Sequence, residues 1–289
     1  MGRTYNICQI DAFTDGPFNG NPAGVMFAGD LKTEEMQLIA KEMNLSETAF
    51  LSESNLADYK LRWFTPQVEV KLCGHATIAS LHFLRENEII KEGQKITFET
   101  LSGILACKNE QGRSFMQIPV PELTVYNGEK EEILSALGVS IEDADMETDW
   151  IILPSGYLYL KLKKLETLGG LKPDFKKLSK ISVPGFGMPE LAVYTLETID
   201  EGSFVHSRFF APGYGIDEDP VTGSANGPML MVLEKLGFVK FENEVTSLVF
   251  EQGDFVGRAG RVTVEYNKTL KELFISGRAV TVIKGNIAL

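Results

Sequence analysis

Apolar and polar positions along the chain fall into two rhythms, and these sort it into elements. Tyr59, Leu61 and Trp63 alternate with Lys60 and Arg62, which predicts a strand over 59–65. Met36, Ile39, Ala40 and Met43 recur at helical spacing, which predicts a helix over 33–43 with Thr33 as its N-cap. Gly74–Leu84, reading GHATIASLHFL, is apolar around its whole circumference, so a helix buried on nearly all sides is expected there. Further strands are expected over 5–13, 25–28, 45–52, 97–109 and 114–118, near 151, and over 157–162 and 191–196, with a strand-rich tail from 245. Two more helices are expected over 129–137 and near 175–181. The stretch 14–24, TDGPFNGNPAG, reads as a loop, and Pro119-Val-Pro121 as a linker.

The pattern also repeats. Arg62-Trp-Phe-Thr-Pro66 returns as Arg208-Phe-Phe-Ala-Pro212, and Glu69-Val-Lys-Leu-Cys-Gly-His-Ala76 as Glu218-Asp-Pro-Val-Thr-Gly-Ser-Ala225. Upstream, SETAFL at 46–51 stands opposite PELAVY at 189–194. Three matches in one order at nearly equal offsets point to duplication of a strand–turn–helix unit. We therefore expect two pseudo-symmetric lobes, 1–118 and 122–279, with 280–289 returning to the first. Each is expected to be an α+β unit in which a mixed, curled sheet surrounds one buried helix.

Composition narrows the partners. The 289 residues carry 28 basic and 40 acidic side chains, a net charge of −12. Such a surface repels phosphate backbones and anionic bilayers, so neither nucleic acid nor a membrane is the expected partner. No apolar run approaches the ~20 residues of a membrane span, and the amino terminus has no apolar signal core. Three cysteines, Cys8, Cys73 and Cys107, with no CxxC, suit a reducing compartment, and a cytoplasmic location is expected. A nucleotide-binding glycine fingerprint, a Walker loop, a metal-ligand spacing and a nucleophile elbow are all absent, so neither a cofactor nor a metal is expected.

Both repeats end in a glycine that opens a helix, Gly74-His75-Ala76 and Gly223-Ser224-Ala225. Helix starts carry unpaired N–H groups and a positive dipole end, and they hold carboxylates or phosphates without a cationic side chain. A small anionic substrate is the expected ligand. His75, placed directly after Gly74, can donate a hydrogen bond or act as an acid. His82 and His206 read as structural. Glu47 is an acid among apolar neighbours; facing a cleft, such a carboxyl is pushed toward neutral pKa and can shuttle a proton. Asp219 reads equally as a helix-start cap or a catalytic carboxylate.

Together, DAFTDGPFNGNPAGV, LSETAF, RWFTPQVEVKLCGHAT and DEDPVTGSANG make the chain resemble the phenazine biosynthesis-like (PhzF-like) proteins of the diaminopimelate epimerase-like fold. The resemblance spans nearly the whole chain. It implies two lobes with an active site between them, usually in a homodimer. It also implies a metal- and cofactor-free isomerase that moves a proton within a dihydro-hydroxyanthranilate. It places that isomerase's acid–base glutamate at Glu47, its histidine at His75, and its aspartate and serine at Asp219 and Ser224. One departure is Cys73. Diaminopimelate epimerases and proline racemases oppose two cysteines, but the position matching Cys73 in the second repeat is Thr222, so a two-thiol racemase is not expected.

Three readings follow. The first is a proton-transfer isomerase acting on a small carboxylate-bearing substrate through Glu47, His75 and Asp219, with Gly74, Ala76, Gly223, Ser224, Ala225 and Cys73 lining the substrate. The second is an amino-acid epimerase or racemase using Cys73. The third is a non-catalytic binding or scaffold protein, against which the joint presence of Glu47, His75, Asp219 and Ser224 argues.

Overall fold

The structure is a computed structural model, and it describes residues 2–289. The chain divides into two compact units, Met1–Ile118 with Phe274–Leu289, and Pro119–Leu273.

In the N-terminal unit the strand Thr4–Ala12 runs antiparallel to both Ala279–Ala288 and Asn21–Phe27. Asn21–Phe27 is parallel to Glu47–Ser52, which is antiparallel to Tyr59–Phe64. The sheet continues through Lys95–Thr100, Gly103–Glu110 and Arg113–Ile118. The helix Gly74–Glu86 is buried from Gly74 through Leu84 and packs against five of these strands, as its unbroken apolarity requires. The helix Thr33–Met43 instead buries one stripe, with Met36, Ile39 and Ala40 packing among Ile7, Met26, Phe50 and Phe64.

Two local readings are corrected. The N-cap of that helix is Lys32, whose N–H is taken by Glu35 Oε2 at 2.8 Å. Thr33 is the first helical residue, and its hydroxyl instead accepts from Arg62 Nη1 at 3.1 Å. Also, Asn21–Gly24 is strand rather than loop: small residues hid its periodicity, but its backbone pairs in register with Asp11 and Ala12. The turn before it needs Gly20, because φ is +62° and a Cβ there would lie 2.1 Å from the Ala12 carbonyl oxygen.

The C-terminal unit repeats the scheme. Tyr157–Lys161 is parallel to Glu190–Thr195, which is antiparallel to Val205–Ala211. Ile216–Asp219 pairs with Val205–Ala211, as Glu69–Val70 pairs with Tyr59–Phe64. Val245–Gln252 and Gly260–Asn267 extend the sheet. The buried helix here is Gly223–Lys235, against Tyr157–Lys161 and Gly260–Asn267. Short helices Glu131–Leu137, Leu165–Gly169 and Phe175–Leu178 contribute to a separate core with Trp150, Leu160, Val193 and Phe210.

The duplication reaches individual side chains. Arg62 grips Glu69 through Nε and Nη2, both at 2.7 Å, and lies 5.0 Å over the Phe64 ring. Arg208 grips Glu218 at 2.8 and 2.7 Å and lies 5.1 Å over Phe210. These are the same positions of the repeat, and each bidentate pair ties the strand to the return strand that leads into the buried helix.

Candidate active site

The N-terminal constellation begins where two parallel strands bring Glu47 into register with Ala23. Downstream, Cys73 is extended (φ −142°, ψ 117°) and the chain enters the helix at Gly74 with no side chain capping it. The next residue, His75, is buried. Its Nδ1 accepts from the Asn21 amide at 3.2 Å, so the ring proton sits on Nε2. That nitrogen lies 3.3 Å from Glu47 Oε2 and 3.3 Å from Ser46 Oγ. Burial drives the His75 pKa down to about 3, so the contact with Glu47 is a neutral N–H donating to a carboxyl rather than an ion pair. Cys73 Sγ stands 3.5 Å from Nδ1 and 4.0 Å from Nε2.

Glu47, Cys73 and His75 thus offer a carboxylate oxygen, a sulfur and a ring nitrogen within 4.8 Å of one another. This donor set could hold a divalent transition metal, since an imidazole that stays neutral keeps its lone pair. Sequence spacing gave no sign of it, because Glu47 belongs to a different strand from the Cys73–His75 turn.

The C-terminal constellation is built on the equivalent elements. Asp219 ends its strand, is buried, and accepts from Thr222 Oγ1 at 2.6 Å. The N-cap position of Gly223–Lys235 is Thr222, whose own side chain makes no capping hydrogen bond. Gln252 holds the turn. Its Nε2 donates to the Asp219 carbonyl at 2.8 Å and to Thr222 Oγ1 at 3.0 Å. Its Oε1 accepts from the Thr222 N–H at 2.9 Å and the Asn226 amide at 2.7 Å. Ser224 Oγ is 3.0 Å from the Tyr157 hydroxyl, and the buried Tyr159 hydroxyl donates to the Ala225 carbonyl at 2.9 Å. Pro228 lies inside this helix and, lacking an N–H, cannot return the usual bond to the Ser224 carbonyl.

Glu190, opposite Tyr157 in the parallel register, is half-buried. Burial first, and the nearby Asp219 charge second, push its pKa up to about 7.

The sequence-predicted residues therefore gather in two sets. Glu47, Cys73, Gly74, His75 and Ala76 meet in the N-terminal unit; Asp219, Gly223, Ser224 and Ala225 meet in the C-terminal one. Asn21, Ser46, Tyr157, Glu190 and Gln252 were missed. For Glu190 a signal existed, since it is the residue of PELAVY that matches Glu47. His82 bonds Thr281 at 3.2 Å, and burial lowers its pKa to about 4. His206 is fully buried, with Nδ1 2.8 Å from Glu251. Burial would raise the Glu251 pKa, but donors from His206 and the Ile199 and Asp200 backbone hold it at about 2, as suits a structural knot.

The sequence profile described as phenazine biosynthesis-like protein matches residues 10–285. The chain belongs to that family. An uncharacterised isomerase of Clostridium acetobutylicum is 38% identical over 307 residues, covering 100% of both chains. The crystal structure of a PhzF-family phenazine biosynthesis protein of Bacillus anthracis is 33% identical, with TM-score 0.91 over 99% of this chain and 100% of that one. A hydroxyproline epimerase of Agrobacterium vitis, 13% identical, has TM-score 0.63 over 99% of this chain and 92% of its own, and shares the fold alone. Family membership carries the reaction class, isomerisation, and among the described residues no helix is long and apolar enough to cross a membrane.

Proposed function

We propose that this isomerase moves a proton between two atoms of a small carboxylate-bearing substrate, with Glu47 taking the proton and giving it back, without a cofactor. The observation that carries the reading is the 3.3 Å approach of neutral His75 Nε2 to a Glu47 side chain only 12% exposed. A base that must also serve as acid needs its carboxyl oriented and shielded from water. The N–H of a histidine that does not itself titrate near neutrality can orient that carboxyl. The helix start at Gly74, in the same unit as Glu47, supplies N–H donors for the substrate carboxylate.

Glu47→Gln preserves shape and removes the titration. With a dihydro-hydroxyanthranilate as probe substrate in deuterated water, the variant is expected to lose about 10²–10⁴-fold in kcat, with KM largely kept. Turnover within tenfold of wild type would show that Glu47 is not the shuttle. A second reading, an amino-acid racemase, rests on the Cys73 sulfur beside His75. Its signature is deuterium entering the Cα position of an amino acid in an assayed panel, and its loss in Cys73→Ser.

A further inference from the structure

Three side chains of different chemistry meet at the start of the helix Gly74–Glu86. A carboxylate oxygen of Glu47, the sulfur of Cys73 and a ring nitrogen of His75 all lie within 4.8 Å of one another. All three residues belong to the N-terminal unit, so the cluster is complete within one unit of the fold. A tetrahedral metal bound at about 2.3 Å to sulfur and about 2.0–2.2 Å to nitrogen and oxygen sets those atoms about 3.3–3.6 Å apart. Glu47 Oε2 and His75 Nε2 stand 3.3 Å apart, already at that spacing. Cys73 Sγ stands 4.0 Å from Nε2. A small rotation about the cysteine Cα–Cβ bond closes the remaining gap of about 0.5 Å.

The surroundings suit a metal-bound imidazole. A ligating histidine is oriented by a polar partner on its other ring nitrogen. Here Nδ1 is held by the Asn21 amide at 3.2 Å. An amide carries a donor and an acceptor on opposite arms. Turned over, it presents its oxygen to an N–H at Nδ1 and leaves Nε2 as the ligand atom. Ser46 Oγ, 3.4 Å from Asn21 Oδ1, can accept from the turned amide as readily as it donates to the present one. The donor types also select the ion. A thiolate with an imidazole favours zinc and cobalt(II) over magnesium and calcium, which ask for oxygen ligands. The second copy of the repeat lacks the set, because Thr222 and Ser224 put hydroxyls where the first copy has a thiol and an imidazole.

We propose that Glu47, Cys73 and His75 form a three-ligand site for a divalent transition metal of the zinc class, and that filling it switches the isomerase off. The inference rests on the proton-transfer reading above, because the metal takes the Glu47 oxygen and the His75 nitrogen whose contact that reading uses. Glu47 binds as its carboxylate. Cys73 gives its S–H proton to solvent as the metal–sulfur bond forms, so one proton leaves for each ion bound. The ring proton moves from Nε2 to Nδ1 and stays on the imidazole. Three protein ligands leave the fourth position to water. The metal is an inhibitor here and takes no part in turnover; its removal returns His75 to Glu47.

The test uses the full-length, reduced protein, stripped of metal by a chelator. Titrated with cobalt(II) as the probe, it should take up one equivalent. A thiolate-to-cobalt charge-transfer band should grow in the near ultraviolet, with tetrahedral ligand-field bands in the visible, and one equivalent of zinc should bleach both. Cys73→Ser should lose the charge-transfer band and bind zinc more than about 100-fold less tightly, beyond the cost of losing an outer partner. Asn21→Ala should keep the band and weaken zinc about 10–100-fold. X-ray absorption of zinc-loaded wild type needs no variant: one sulfur at about 2.3 Å, beside nitrogen or oxygen at about 2.0–2.2 Å, is expected. With dihydro-hydroxyanthranilate as substrate, one equivalent of zinc should abolish turnover and a chelator should restore it. No band in excess cobalt, a band that survives Cys73→Ser, or a zinc shell without sulfur overturns the site. Full turnover by the zinc-loaded enzyme overturns the switch. The cobalt spectrum needs no substrate and the Glu47→Gln assay needs no metal, so failure of either claim is seen without the other.

Discussion

At the first helix start a histidine, a cysteine and a glutamate lie close together; at the second, a serine and a threonine stand in the places of the histidine and the cysteine, with an aspartate beside the threonine and tyrosine and glutamine locking them. The frameworks beneath are nearly identical, down to the arginine that grips a glutamate and covers a phenylalanine. Duplication has therefore kept what shapes the turn and released the side chains at the helix start. One copy sets a neutral imidazole against a carboxyl at 3.3 Å. The other sets a serine against a tyrosine and a threonine against an aspartate. The least symmetric pair of positions, His75 against Ser224, is where the chemistry parts: an imidazole can orient a base, and a hydroxyl can only offer a hydrogen bond.

The frameworks can be told apart by breaking them. Arg208 is the more enclosed, with side-chain exposures of 8% and 11% across the pair, against 19% and 20% for Arg62 and Glu69. Arg208→Ala leaves Glu218 buried without its partner and strips the donors from the Leu168 and Leu171 carbonyls. It should cost about 3–5 kcal/mol in urea denaturation. Arg62→Ala leaves Glu69 able to find water and should cost about 1 kcal/mol. Equal losses would mean that the two copies are equally rigid and that enclosure does not set the difference.

A smaller effect separates the histidine from the serine. His75 is buried neutral, with a pKa near 3 in the folded chain against an ordinary 6.5 when unfolded. Below pH 6.5 the unfolded chain binds a proton that the folded one refuses, so stability contributed by the neutral form is present above 6.5 and is lost as pH falls. Between pH 6.5 and 5 the loss amounts to about 2 kcal/mol. His75→Asn should flatten the stability profile over that window by this amount. His82, whose folded pKa is about 4, supplies the same trend independently and serves as a control. No flattening in His75→Asn would place a charged imidazole in the folded site.

Much of this was legible in the chain itself. The duplicated Arg-x-Phe and Glu-x-x-x-x-Gly patterns carried the repeat, and unbroken apolarity over 74–84 carried the buried helix. Glu47 stood out as an acid among apolar neighbours, and His75 by its place directly after the glycine that opens a helix. What sequence could not carry was convergence. The Asn21 amide, which fixes the His75 tautomer, lies in a stretch that reads as loop. Glu190 looked like an ordinary strand acid, because its proximity to Asp219 depends on two strands folding against a third. Gln252 is far from the turn it braces and matches no pattern at all.

Cys73 gives the finest test of the comparison, because it decides whether the first helix start works by carboxyl or by thiol. Its sulfur touches the edge of the imidazole, so it is well placed to be a base. But proton exchange at a stereocentre between two thiols needs a partner on the other copy, and there the framework places Thr222, whose hydroxyl is already donated to Asp219 at 2.6 Å. A threonine so engaged is no acid for a carbanion. Serine at position 73 keeps a polar atom of similar size against the ring and removes the thiolate. Cys73→Ser should therefore retain kcat within tenfold of wild type on dihydro-hydroxyanthranilate, with deuterium uptake from solvent unchanged in position. A fall of several orders of magnitude, in a variant whose melting temperature matches wild type, would reassign the base from Glu47 to Cys73. It would also make His75, at 3.5 Å from the sulfur, the partner that activates the thiol.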